Sequence, residues 1–512
     1  MAGEPGPRTV QDYIDERPFW ADGILVSAAP MTAMQWRIWW LASAGKCFEG
    51  MVVFMTGVAL PLIALEFNLG AAEKGMVGAA TLFGILIGAT ALGGLADLSG
   101  RRIMFIVEMA LFVLFLVLVS LSQNLTWLLI CLFGLGVALG CDYPTAHLII
   151  SESIPSRSRG RLVLSAFGFQ ALGALAGTAV GLLILQSKES IADWRWMYAT
   201  AILPAVLVLA GRFFIPRSGQ WLVSQGRIAE AERETQALLH RNPIHPQTVR
   251  LAAPAKDQPA HARDRQPRYA ALFSRKQRRA TILAAVPWFL QDLGTYGIGI
   301  FTPTILASTI GVKNEHARNL AELIHNDALG ARGAALIDLL LIVGIVFAVL
   351  LVDKVGRIRL QVFGFLGCAA GLFLASLSVH SDGPARMFFI FSGFMLFNFM
   401  TNLGPNAMTY LLAGEVFPTP IRGIGAGFAA SFAKIGAVMT SFLFPILLKD
   451  LGTATLLYIL IGTSLLGAMV TWRFGIETSG INLETVGQER PGSEAPRTGN
   501  NAPAGYSPEH GN

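Results

Sequence analysis

The feature that most constrains this chain of 512 residues is a series of apolar runs, each long enough to cross a bilayer. A helix needs roughly 20 apolar residues to span about 30 Å of hydrocarbon. Runs of that kind recur near 38–65, 75–95, 103–122, 125–150, 162–186 and 195–215. They recur again near 280–308, 333–352, 360–379, 386–413, 422–447 and 451–475. They are long and lack period-2 alternation, so they predict helices, which satisfy their own backbone donors and acceptors in lipid. The expected fold class is an all-α membrane protein with twelve transmembrane helices and the lipid bilayer as its solvent. Charge agrees: 14% of residues are charged and mean hydropathy is +0.54, against about 25% charged in soluble domains.

The net charge of +6 does not mark a nucleic-acid binder, because Arg and Lys fall in the segments between apolar runs. Thirteen lie within 216–279, and others cluster at Arg101 and Arg102, at Arg157, Arg159 and Arg161, and at Lys354, Arg357 and Arg359. Alternate loops are poorer, with Lys74, Lys188, Arg195, Arg386 and Lys449 scattered thinly; the loop with Lys313, Arg318 and Arg332 is a partial exception. The positive-inside rule then predicts a cytoplasmic-membrane protein with both termini and the central segment in the cytoplasm. Cys47, Cys131, Cys141 and Cys368 sit inside apolar runs without metal-ligand spacing, so no metal and no disulfide framework is expected. The first 35 residues are mixed and polar and lack the h-region of a cleavable signal.

The expected organisation is an N-terminal segment (1–36), a six-helix half (37–215), a central loop (216–279), a second six-helix half (280–475) and a disordered tail (476–512). Within the loop, 226–240 reads as an amphipathic surface helix, and 242–268, rich in Pro, His and Arg, as a linker. The halves repeat. Asp97, Gly100 and Arg101 recur as Asp353, Gly356 and Arg357 at an offset of 256. Glu152, Pro155, Arg159, Gly160 and Gly173 recur as Glu415, Pro418, Arg422, Gly423 and Gly436 at an offset of 263. Two pseudo-symmetric six-helix halves place a substrate site at their interface, near the midplane.

Charge at the bilayer centre is costly, so intramembrane polar residues face the bundle interior or a cavity. The candidates are Lys46, Glu49, Glu108, Asp142 and Gln170 in the first half, and Asp292, Asp338, Asn402, Asn406 and Lys434 in the second. Lys46 and Glu49 are one helical turn apart and suited to pair. Trp288, Asp292 and Tyr296 are spaced i, i+4, i+8 and stack along one face. An interface anchor plus a structural acid is the plainer alternative for that face. Gly404 and Pro405 in NLGPN break the tenth helix, a break tolerated only beside protein or a cavity, with a simple kink as its plainer reading. Asp97 and Arg101, with their repeats Asp353 and Arg357 and with Glu152, Arg159, Glu415 and Arg422, are expected to latch the loops of one access state.

The loop GGLADLSGRR (93–102) and its second copy resemble the signature of the major facilitator superfamily. PRSGQWLVSQGR (216–227) is similar to part of the sugar-porter signature. GCDYP (140–144) and NLGPN followed by GEVFPT (414–419) resemble the phosphate:proton symporter branch. Helix 1 departs from that branch, keeping Glu49 but having Val52 where a second acid stands, and Cys141 replaces a glycine. The resemblance implies the major facilitator fold and a substrate cavity lined by Tyr143, Gln170, Trp288, Asp292, Tyr296 and Asn406. It also implies that Lys434 helps to hold an anion, and that Glu108 and Asp142 lie on a proton route.

The expectation is a secondary transporter, not an enzyme, with no cofactor, working as a monomer. It would move a small polar, anionic metabolite, inorganic phosphate foremost, by proton-coupled alternating access, with Glu49, Glu108, Asp142 and Asp292 handling protons. A symporter of a sugar, polyol or organic acid is the alternative. No Gly-rich phosphate loop or HExxH supports catalysis.

Overall fold

The computed structural model describes residues 8–17, 29–92, 99–187, 190–240, 248–251, 269–310, 320–418 and 421–478. Asp97 lies outside the described residues, as do the 241–247 and 252–268 parts of the central loop and most of the 476–512 tail. Among the described residues the regular structure is helical. We label the spanning helices α1 (Ala33–Glu66), α2 (Ala71–Ile87), α3 (Arg101–Ser120), α4 (Leu125–Ser153), α5 (Ser156–Ser187) and α6 (Ile191–Arg212). The second half supplies α7 (Arg278–Ile310), α8 (Leu320–Val355), α9 (Arg357–Ser376) and α10 (Gly383–Glu415). A continuous run, Arg422–Phe474, contains α11 and α12, divided at Gly452, whose φ of 76° only glycine adopts readily.

Sequence explains where these helices begin. Thr32 caps α1 with a reciprocal pair of bonds to Gln35, and Asn124 caps α4 through the Trp127 amide. The signature glycines Gly100 and Gly356 stand just before α3 and α9 at φ of 91° and 94°, so the repeated motif encodes the same left-handed entry twice. Several spans start earlier than hydropathy suggests, by most at α8, which begins at Leu320 rather than 333, and at α5, which begins at Ser156 rather than 162, because a helix continues through residues that hydropathy does not count as apolar. α10 breaks at Gly404, which precedes Pro405.

Helices pack closely where small residues face each other. A Cβ at Gly173 of α5 would land on the carbonyl oxygen of Cys47 in α1. Its repeat, Gly436 of α11, sits in the same way against the carbonyl of Phe289 in α7. The α1–α5 and α7–α11 contacts are thus equivalent, one in each half. The halves meet along α1–α7, α2–α11 and α5–α8. Large apolar side chains such as Trp40, Leu203, Leu207, Leu350, Phe363 and Trp472 face outward, as lipid as solvent requires.

One face of the bundle carries both ends of the described residues. There Thr32 donates to the Leu238 carbonyl, Tyr13 donates to the Arg250 carbonyl, and Arg279 donates to the carbonyls of Phe474 and Gly475. The amphipathic segment forms a helix, Ile228–Leu238, which turns Ala231, Thr235 and Leu238 into this terminal face.

Candidate functional site

The i, i+4 face of α7 points at the seam between the halves. Lys434 of α11 reaches across to it, donating to Asp292 Oδ2 at 3.2 Å and to the Tyr296 hydroxyl at 2.7 Å. Glu49 of α1 approaches from the other half. It accepts from Lys46 Nζ at 2.6 Å, from the Tyr296 hydroxyl at 3.2 Å and from Gln170 Nε2 of α5 at 3.4 Å, and lies 3.8 Å from Lys434 Nζ. Gln170 Nε2 also donates to the Tyr296 hydroxyl at 3.2 Å. Two lysines and two carboxylates from α1, α7 and α11 thus meet, and Lys46, Glu49, Asp292 and Lys434 are all buried. Ionised, the four sum to zero charge, the form a low-dielectric interior tolerates.

A second ionic group lies within the first half. Arg212, at the end of α6 and wholly buried, donates to Glu108 Oε1 of α3 at 3.1 Å and to Asp142 Oδ1 of α4 at 2.7 Å. It also donates to the carbonyls of Phe105 and Leu41, and its guanidinium lies 3.5 Å from the Phe105 ring centre. Glu108 Oε2 finds no donor among the described residues. Lys46 lies within electrostatic range of Asp142 and joins the two groups. Together they hold three bases, Lys46, Arg212 and Lys434, and four acids, Glu49, Glu108, Asp142 and Asp292. One proton therefore makes the pair of groups neutral.

Aromatic residues cover the central cluster toward the terminal face. Tyr410 of α10 stacks on Phe167 of α5 at 4.5 Å between ring centres, and Trp288 meets Tyr410 edge-on at 6.2 Å. The Tyr410 hydroxyl and His147 Nδ1 of α4 are 3.1 Å apart. These two residues differ by 263 positions, the offset that relates Glu152 to Glu415, so they are repeat equivalents meeting across the seam. On the terminal face a cleft of about 740 Å³ opens between the halves, with Asp15, Arg161, Leu164, Asp353, Leu411 and Glu415 among its lining.

The loop motifs form matching pairs. Arg101 bonds Glu152 at 3.2 Å, and Arg357 bonds Glu415 at 3.3 Å and Asp353 at 3.3 Å. Arg161 reaches Asp353 across the cleft at 3.3 Å. Arg159 donates instead to Ser156, and Arg422 to the Phe417 carbonyl. Asn406 donates to Asn402 within α10. The side chain of Tyr143 lies outside the described residues. The geometry therefore unites Glu49, Gln170, Asp292, Tyr296 and Lys434, sets Trp288 at their edge, and gathers Glu108 and Asp142 around Arg212. Sequence reading missed Arg212, which looks like one more basic residue at a helix end, and it missed Tyr410 and His147, which the 263 offset alone would have related. No group of three metal-ligating side chains occurs among the described residues.

Comparison with known proteins agrees with the fold. The family model described as sugar (and other) transporter matches residues 39–489. The inner membrane metabolite transport protein YgcS of Escherichia coli (strain K12) is 29% identical over 468 residues, covering 90% of this chain and 95% of that one. A protein of Arabidopsis thaliana named "Probable inorganic phosphate transporter 1-6" is 28% identical over 458 residues, covering 83% and 85%. Among solved structures, the partially occluded inward-open form of the xylose transporter XylE from E. coli matches with a TM-score of 0.70 at 21% identity, covering 88% of this chain and 100% of that one.

Proposed function

Because the chain belongs to the sugar (and other) transporter family, we propose that it is a proton-coupled symporter of a small anion, with inorganic phosphate the leading substrate. It works as a monomer in the cytoplasmic membrane, with both termini in the cytoplasm, by rocking one six-helix half against the other. The observation that carries this reading is Lys434, held at the seam by Asp292 and Tyr296. A lysine at the centre of a bilayer costs about 2.5–3.5 kcal/mol on insertion scales, and a neutral ligand gives no reason to keep one there.

The mechanism follows from charge. An incoming anion displaces Asp292 from Lys434 and takes charge-assisted hydrogen bonds from the ammonium, with Gln170 and Tyr296 completing its shell. The displaced carboxylate takes a proton, and net charge at the seam is unchanged. Glu108 and Asp142 relay that proton beside Arg212, and Glu49 returns it by way of Lys46. Trp288 and Tyr410 close the site toward the cytoplasm. The Arg101–Glu152 and Arg357–Glu415 pairs hold the cytoplasmic loops, and their partners differ in the opposite access state.

A neutral sugar or polyol is the second reading. It is favoured by one observation, that each lysine already has a carboxylate partner. Uptake by the purified full-length protein in proteoliposomes separates the two readings, using phosphate, organic acids, sugars and polyols with and without an imposed pH gradient. Asp292→Asn is expected to abolish gradient-driven accumulation while the protein stays folded and monodisperse. Normal proton-driven uptake by that variant refutes the role given to Asp292.

A further inference from the structure

Asp338, in the middle of α8, belongs to neither ionic group. It is 2% exposed and lies where three helices meet. Asn398 Nδ2 of α10 donates to Asp338 Oδ1 at 3.3 Å and to the Ile337 carbonyl at 3.4 Å. Thr178 Oγ1 of α5, in the other half, lies 2.8 Å from Asp338 Oδ2 and 3.0 Å from the Ala174 carbonyl.

A carboxylate buried with no opposite charge beside it is costly, and the count of hydrogens points the same way. The Asn398 amide has two hydrogens for its two acceptors, but the Thr178 hydroxyl has one hydrogen for two. If Asp338 is ionised, either its Oδ2 or the Ala174 carbonyl, which also accepts from the Thr178 amide within α5, faces the hydroxyl oxygen with no hydrogen between them. A proton on Oδ2 removes the conflict: Asp338 donates to Thr178, Thr178 donates to Ala174, and every polar atom is served. No neighbouring charge offers another solution. Lys46 and Glu49 of α1 and Asp292 of α7 are engaged in the central cluster. Arg161 of α5, Arg357 of α9 and Arg386 of α10 stand within six residues of their helix ends. Arg332, six residues earlier on α8, lies against the Gln186 side chain of α5, and the Asp338 carboxyl meets Thr178 and Asn398.

We infer that Asp338 is a proton-binding site separate from the central cluster, filled in this conformation, whose proton fastens α8 to α5 across the seam between the halves. Thr178 lies eight residues beyond Gln170 along α5, away from the terminal face, so the fastening lies on the far side of the central cluster from the Tyr410 cover. When α5 and α8 part, water reaches Asp338, the proton leaves to it, and the carboxylate cannot return to its dry seat without another. Closure on that side therefore requires a proton.

The test is infrared spectroscopy of the full-length protein in lipid vesicles at neutral pH. A wild-type minus Asp338→Asn difference spectrum is expected to contain the C=O stretch of a protonated carboxyl, since asparagine keeps the neutral bonding pattern but has no such band. Thr178→Val keeps the acid and removes its acceptor, and is expected to shift the band to higher frequency. Absence of a band from the difference spectrum overturns the inference. If Asp338→Asn does not fold, a Thr178→Val spectrum identical to wild type overturns it equally. The measurement needs no substrate, so it stands or falls independently of the anion assignment.

Discussion

Arg212→Met tests most directly how the first half is held together. Arg212 is fully buried and serves four acceptors, the Glu108 and Asp142 carboxylates and the carbonyls of Phe105 and Leu41. Methionine fills similar space but leaves two acids in a dry pocket without a base. Removing one partner of a buried ion pair costs about 3–5 kcal/mol, because the remaining charge is stranded, whereas replacing the whole group by neutral side chains is often close to neutral. The two freed carbonyls add roughly 1 kcal/mol each, so the loss is about 5–7 kcal/mol. Taking about 2 °C per kcal/mol for a large chain, the single variant is expected to melt roughly 10–14 °C below wild type in detergent. The triple variant Arg212→Met/Glu108→Gln/Asp142→Asn removes every charge and is expected to recover most of the loss. A single variant that melts with wild type would falsify the account, and a triple variant no more stable than the single one refutes the stranded-charge argument in particular.

Three further outcomes follow from geometry. Cys47 is half-buried while Cys131, Cys141 and Cys368 are buried, so a maleimide is expected to label Cys47 first, and labelling that persists in Cys47→Ser contradicts this. Gly173→Leu is expected to separate α1 from α5 and lower both folded yield and uptake, because its side chain would start on the Cys47 carbonyl; a wild-type melting curve argues against that close contact. In the N-terminal helix Val10–Asp15, the Thr9 hydroxyl and then the Thr9 amide hold the Asp12 carboxyl below its ordinary range. A depressed acid stabilises above its unfolded pKa and loses that contribution as pH falls through the folded value. Amide exchange across residues 9–15 should therefore quicken below about pH 4, and an unchanged profile in Asp12→Asn would show that the cap does not contribute.

How much of the site could be read beforehand depended on how far apart its parts lie in the chain. Lys46 and Glu49 are three residues apart, and Trp288, Asp292 and Tyr296 share one helix face, so helical periodicity alone relates them. The break at Gly404 and Pro405 was equally local. The repeat offsets paired Arg101 with Arg357 and Glu152 with Glu415 as equivalents, and the structure bonds Arg101 to Glu152 and Arg357 to Glu415. Arg212 is different. It serves acids 104 and 70 residues away, on helices met only after the bundle closes. Nothing in its neighbours distinguishes it from an arginine at a membrane surface.

Apolar runs longer than a bilayer is thick, basic residues between them and two repeated motifs were enough to set the helix count, the two halves and the short list of polar residues obliged to turn inward. Those properties are local: a span, a loop charge or a left-handed glycine is decided within a few turns of chain. Which inward residues touch was decided by packing alone, since a contact such as Lys434 with Asp292, or Thr178 with Asp338, joins residues 142 and 160 positions apart. The physical reason is that in a dry interior a charge settles beside whichever partner packing brings within reach.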